Sequence, residues 1–316
     1  MGFKENRKED PIKAVSQTSL RYARGGNMKI NYECLPCLVN QVVKVADITK
    51  VENREELFHE VFRFFSVVDF QKTNPEIIGE TFELLKKYTQ NDDPYLQIRN
   101  YYNKMFLDMS NTLEEQISQS DNPLESAIKY AIIANIIDFN PIHNSRIENV
   151  MEYFKQIDQL ELKINQSAEL MKDIKAGQKL LYLGDNCGEI CLDKLLLKRI
   201  KDYNQNIQIY FGVRGEPVVN DSIEADAHNV GIDEYASIIS NGDNSLGTVL
   251  ERTSKEFQAI YSEADIVIAK GQANYESLSE QKDKKLYYLL MTKCSVIAND
   301  IGVPVGSLIC LQYHKD

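Results

Sequence analysis

The chain has 316 residues, 43% hydrophobic and 26% charged, ordinary values for a globular protein with room for two domains or for one large domain with an elaboration. Asp and Glu number 47 against 36 Lys and Arg, and the formal net charge of −11 argues against non-specific attraction to nucleic acid or to anionic lipid. The longest apolar runs, such as YAIIANIIDF (130–139), are too short and too polar to span a bilayer, so no membrane segment is expected and a cytoplasmic protein is.

Residues 1–27 hold six Lys or Arg and three Asp or Glu, with no apolar block long enough for a signal peptide. They read as a disordered leader. Arg24-Gly25-Gly26 can be encoded by purine codons resembling a bacterial ribosome-binding sequence, which makes Met28 a candidate start. Six cysteines, at 34, 37, 187, 191, 294 and 310, read as reduced thiols. Cys34 and Cys37 form a C-x-x-C without a second pair at zinc-ribbon spacing. Such a pair is structural, a redox couple, or part of a metal site that borrows ligands from elsewhere.

From about residue 28 to 170 the pattern is helical. In ELFHEVFRFFSVVDF (56–70), Leu57, Val61, Phe64, Phe65 and Val68 recur at the three- and four-residue spacing of one buried helix face. Asn122-Pro123 opens another helix, a cap followed by proline in the first turn. Asn135 and Asp138, near the end of that helix, are three apart and share a face.

From 171 to 316 the period changes. The runs LLYLG (180–184), IQIYFGV (207–213), ASIIS (236–240), DIVIAKG (265–271), SVIAN (295–299) and SLICLQ (307–312) read as strands alternating with helices. That alternation predicts an α/β fold with a mostly parallel sheet and crossover helices, preceded by an all-α N-terminal domain.

Three strand ends carry polar clusters: GDNCGE (184–189), RGEPVVND (214–221) and KGQANYE (270–276). A Gly-rich turn, SNGDNSLGT (240–248), stands beside them. Each alone is as readily a turn and a helix cap. Together they are more, because the carboxyl ends of strands in an open α/β sheet line one crevice. Oxygen-rich side chains meeting there suit a hard divalent cation. Asp185, Asn186 and Asp221 are the expected ligands, two charges and one neutral oxygen, in a partial shell with positions left for water and substrate. The helix after Asn186 is expected to offer free N–H groups to an anion. Gly184 and Gly188 miss the G-x-G-x-x-G spacing of a dinucleotide site. Cys187 stands where an aspartyl-phosphate enzyme of the haloacid dehalogenase kind has a second Asp.

The succession GDNCGEI, VRGEPVVND, ADIVIAKGQANYESLS and LLMTKC resembles the metal-dependent damage-control phosphatases, formerly catalogued as a domain of unknown function and also called the acidic-residue methyltransferase-like family. The early C-x-x-C and ANIIDF (134–139) are similar to those of the archaeal and bacterial branch, and the resemblance spans about 30–312. It implies a helical N-terminal domain on a Rossmann-like α/β/α sandwich and a divalent metal (Mn, Mg, Co or Ni) on Asp185, Asn186 and Asp221. It further implies substrate contacts from Glu189, from Gln272 to Glu276 including Asn274 and Tyr275, and from Lys293, with Asn135 and Asp138 closing the crevice. Arg214, Asn220 and Lys270 join the expected substrate contacts as polar groups at strand ends. The function so implied is hydrolysis of a small phosphomonoester, a damaged or side-product metabolite such as a sugar phosphate. Two rivals stand beside it: carboxyl methyl transfer from S-adenosylmethionine, and non-catalytic sensing of a metal or nucleotide.

Overall fold

A computed structural model describes residues 28–134, 154, 157, 160–281 and 285–312; the expected leader, 1–27, lies outside them. Five helices come first: α1 (Leu35–Ile48), α2 (Arg54–Phe65), α3 (Asn74–Thr89), α4 (Leu96–Gln119) and α5 (Pro123–Ala134). Their starts are written in local chemistry. Asn53 caps α2, Thr73 and Glu76 form a reciprocal capping box on α3, and the Glu125 N–H donates to the Asn122 side chain at the head of α5. On α2 Leu57 and Val61 are buried and Phe65 packs against the same core, as does Val68 just beyond the helix, whereas Phe64, expected on that face, is half-buried against the Phe65 ring.

Among the described residues from 160 onward the chain forms a seven-stranded sheet with its helices. β1 is Ile164–Asn165, β2 Lys179–Leu183, β3 Gln208–Val213, β4 Ser237–Ser240, β5 Ile266–Lys270, β6 Lys285–Met291 and β7 Leu308–Gln312. Between them run α6 (Ser167–Ala176), α7 (Glu189–Tyr203), α8 (Glu224–Val230), α9 (Lys255–Glu263), α10 (Gly271–Leu278) and α11 (Ser295–Ile301). The strand order is β1-β7-β6-β5-β2-β3-β4, and every pair is parallel except β6 with β7. The chain leaves β2 toward β3 on one side and returns to β5 on the other, so the order reverses at β2, where a doubly wound sheet binds its ligand. Register brings the three strand ends level: Leu183 pairs with Gly212 of β3 and with Ala269 of β5.

Both sheet faces are buried, and the central strands divide their side chains between them. Leu180, Tyr182, Ile266 and Ile268 join a core with α4, α5 and α7. Leu181, Leu183, Val267 and Ala269 join a second core with α9, α10 and α11. A third core lies among α1, α2 and α3, and into it the loop after β3 inserts Val218 and Val219.

Three expectations are revised. SVIAN is not a strand: with Cys294 before it and Gly302 closing it at φ +84°, it forms α11, and local capping overrides two β-branched residues. The missing strand is the neighbouring run from Lys285 to Met291, parallel to β5 on one edge and antiparallel to β7 on the other. The expected division at residue 170 also shifts, since β1 begins at Ile164 and pairs with β7, and α5 packs on α7, β6 and β7.

Helix α4 fastens the two parts. Arg99, 1% exposed, donates through both terminal nitrogens to Asp93 and through Nε to Asp226 at 3.0 Å. Asn103 Oδ1 accepts the Gly188 N–H at 2.6 Å. Helix α3 touches the Gly-rich turn so closely that a Cβ at Gly79 would lie 2.5 Å from the Asn244 carbonyl oxygen.

Candidate active site

Asp185 and Asn186 follow β2 directly, and Asp221 reaches them from the loop after β3 by a backbone bridge between Asn186 and Asp221. The Ser222 N–H donates to the Asp185 carbonyl oxygen at 2.8 Å and the Cys187 N–H to that of Asn220 at 2.9 Å. Gly271, at φ +75°, completes the edge from β5; any Cβ there would stand 1.8 Å from Asp185 Oδ2. The position demands glycine both for its left-handed backbone and for the space it leaves the carboxylate.

Arg214 lies between the two acids. Its Nε donates to Asp221 Oδ2 at 2.7 Å, Nη1 reaches Thr248 Oγ at 3.4 Å, and Nη2 stands 3.7 Å from Asp185 Oδ1. Although buried, Nη2 has no hydrogen-bond partner among the described residues. Burial pushes the Asp185 carboxyl well above its ordinary range, the Asp221 and Glu189 charges push it further, and Arg214 and Lys293 oppose. Asp221 is raised by burial too, with Arg214 and the Gly247 N–H holding it back against Glu189.

A layer of charge lies beneath. Asn186 Nδ2 donates to Asp185 Oδ2 at 2.9 Å and to Glu189 Oε2 at 3.1 Å. Lys270 Nζ donates to Glu189 Oε1 at 2.5 Å and to Asp193 Oδ1 at 2.6 Å. Burial works against the Lys270 ammonium, yet Asp193 and Glu189 more than offset it and the pKa is raised. Among the described residues the buried Asp185, Asp221, Glu189 and Asp193 thus face the buried Arg214 and Lys270, four formal negative charges against two positive.

The structure distributes the expected site residues unevenly. Asp185, Asn186, Asp221, Glu189 and Arg214 meet. Lys293 is exposed, and its charge acts on Asp185. Lys270, expected on the substrate, has no exposed surface and is committed to Glu189 and Asp193. Asn274, also fully buried, donates to the Gly184 and Lys270 carbonyl oxygens and accepts from Thr248 Oγ, tying β2 to β5. The Tyr275 hydroxyl donates to Asp300. Gln272 donates to Glu276 and Cys294 and accepts the Lys293 N–H, while Asn74 of α3 donates to Glu276. Asn220 contributes its carbonyl to the backbone frame. Asn135 and Asp138 lie outside the described residues.

The expected anion cradle at the start of α7 is revised, because the Cys187 and Gly188 N–H groups are already spent on Asn220 and Asn103. Sequence reasoning missed Asp193, Asn103, Thr248 and Asn74. Asp193 had one signal, its place four residues after Glu189 on the same helix face; Asn103 and Asn74 had none, since they arrive from a distant helical region. Among the described residues no three His, Cys, Asp or Glu side chains converge as a metal cluster. A cation here would rest on two carboxylates and an amide oxygen. That donor set is hard and suits Mg or Mn, and a formal excess of two carboxylates over the buried cations fits a divalent ion.

A family model described as the damage-control phosphatase ARMT1-like domain matches residues 30–309. The chain is 36% identical over 302 residues to an uncharacterised protein of Methanocaldococcus jannaschii, covering 91% of this chain and 97% of that one. It is 30% identical over 288 residues to a damage-control phosphatase of Pyrococcus horikoshii, covering 90% and 98%. A damage-control phosphatase of Archaeoglobus fulgidus is 34% identical over 220 residues, covering 69% and 75%. The crystal structure of a DUF89 family protein from Pyrococcus horikoshii superposes with a TM-score of 0.83 at 29% identity, covering 90% of this chain and 99% of that one.

Proposed function

The chain belongs to the damage-control phosphatase family with the ARMT1-like domain, and from that membership we propose that it hydrolyses a small phosphomonoester with a divalent cation held by Asp185, Asn186 and Asp221. The relatives' names support a phosphatase role. The observation that carries it is the formal charge imbalance buried at the switch point of the sheet, four carboxylates against two cations, next to a guanidinium N–H with no hydrogen-bond partner among the described residues. A bound divalent ion supplies neutralisation of phosphoryl charge and a more acidic water.

The chain's own groups do the rest. Arg214 Nη2, buried and without a hydrogen-bond acceptor among the described residues, is placed for a phosphoryl oxygen, and its Nε keeps Asp221 oriented. Lys293 brings an exposed ammonium to the same edge, suited to a second phosphoryl oxygen as charge develops. Asp221, fixed by Arg214, is the candidate to orient the attacking water. Gln272, Glu276 and Asn74 form a polar rim suited to the rest of a hydrophilic metabolite. The six cysteines stand unbridged, which fits the cytoplasmic setting included in this proposal.

The test is a phosphatase screen over phosphorylated metabolites with Mn, Mg, Co and Ni in turn. Asp185→Ala is expected to lose cation-dependent phosphate release by on the order of 10²- to 10³-fold, the cost of removing one preorganised electrostatic group. Undiminished release in folded Asp185→Ala would end the reading.

A further inference from the structure

This inference rests on the cation site proposed above. Glu189 and Asp193 stand one turn apart on α7, both without exposed surface. Lys270, the last residue of β5, lays its ammonium across the two, and the Tyr182 hydroxyl donates to the same Asp193 oxygen at 2.7 Å. On the other side Glu189 accepts from the Asn186 amide, whose nitrogen also serves Asp185. The result is a continuous line from Tyr182 through Asp193, Lys270 and Glu189 to Asn186.

A carboxamide has two hydrogens and one oxygen. With its nitrogen facing Asp185 and Glu189, Asn186 turns its oxygen to the opposite side. Rotating the amide would set the oxygen against two carboxylates and present N–H groups to any cation, which is unfavourable on both sides. A buried Glu189 can hold the nitrogen only while its own charge is matched, and Lys270 supplies that match. We infer that Glu189 is a positioning residue which fixes the Asn186 amide with its oxygen outward as a cation ligand, and that Lys270 and Asp193 hold Glu189 in place. Neither Glu189 nor Lys270 then needs to touch the substrate. Outer groups that orient ligands in this way commonly govern cation affinity.

Glu189→Gln separates this from a merely structural ion cluster. Glutamine has one oxygen where glutamate has two. It turns that oxygen to the Lys270 ammonium and its NH2 to the Asn186 NH2, which releases the amide. Adding Lys270→Met frees the glutamine to turn its oxygen back to Asn186 and its NH2 to Asp193. Titration calorimetry of the metal-free proteins with Mn²⁺ alone is the readout, with the metal-free melting temperature confirming the fold. Glu189→Gln is expected to bind Mn²⁺ roughly 10- to 100-fold more weakly with an unlowered melting temperature, and the double variant to regain most of that affinity.

Wild-type affinity in Glu189→Gln overturns the inference, as does an equal loss in the double variant. Should the double variant not fold, Glu189→Gln alone decides. Asp185→Ala in the same calorimeter keeps the two readings apart. If it weakens Mn²⁺ binding while Glu189→Gln does not, the cation site stands and the positioning line falls. If wild type and Asp185→Ala bind alike, both fall.

Discussion

Two clusters of buried charge lie within one molecule and differ in how completely they are paired. At the seam between α4 and α8, Arg99 spends its nitrogens on Asp93 and Asp226, and Asp226 takes further hydrogen bonds from Asn103 and the Ile223 N–H. At the carboxyl edge of the sheet, Arg214 Nη2 and Asp193 Oδ2 are buried with no hydrogen-bond partner among the described residues. Groups that complete one another join parts of a fold. Groups left incomplete in a preorganised place mark where something else belongs.

The largest expected effect follows from that contrast. Asp185→Ala should lower activity by on the order of 10²- to 10³-fold, yet the metal-free protein should melt no earlier, because the substitution removes a buried carboxylate that burial and its neighbours already disfavour. Arg99→Met should do the reverse. It strands Asp226, and breaking a buried pair in this way costs about 3–5 kcal/mol, read as a lowered denaturant midpoint, while activity per folded molecule is kept. Equal loss of stability in both variants would erase the distinction between the clusters.

A smaller effect appears in pH. Burial raises the Asp193 carboxyl from 3.8 to about 6, helped by Glu189 and opposed by Lys270 and Tyr182. An unfolded Asp sheds its proton near 4, so between about pH 4 and 6 the native state binds the extra proton. Its contribution is therefore fully present below pH 4 and lost as pH rises toward 6. Each pH unit is worth about 1.4 kcal/mol, so the swing stays below about 3 kcal/mol. Denaturation of the metal-free protein across this range should show wild type losing stability relative to Asp193→Asn. Parallel curves would remove Asp193 from the account.

The same contrast explains what the sequence made legible. Apolar runs followed by polar clusters placed β2, β3 and β5 and set Asp185, Asn186, Arg214 and Asp221 at one edge, because a parallel sheet with helices on both faces leaves no other edge for them. The runs did not tell SVIAN from a strand, since a stretch of five residues fits either period and the deciding cap, Gly302, lies beyond it. Nor did they show that Lys270 and Asn274 are consumed within the protein. A lysine at a strand end looks the same whether it meets a phosphate or two carboxylates, and only the position of Asp193 on α7 decides. The link to α4 was invisible for another reason: Asn103 and Gly188 are 85 residues apart, and no local pattern couples them.

The smallest expected effect concerns how the helical region holds the site. Val219 sits at φ +47° and is 8% exposed, its side chain in the core of α1, α2 and α3, two residues before Asp221. A left-handed backbone costs a non-glycine residue about 1–2 kcal/mol, and a β-branched residue tolerates it only when its surroundings insist. Val219→Ala loses packing and keeps most of the strain. Val219→Gly loses slightly more packing but sheds the strain, so it should be no less stable than Val219→Ala. At Val218, buried and without a positive φ, the order should be the usual one, with glycine worse than alanine by about 1 kcal/mol. Chemical denaturation of the four variants reads the difference. The same ranking at both positions would show that the helical core does not press Val219 into its left-handed backbone.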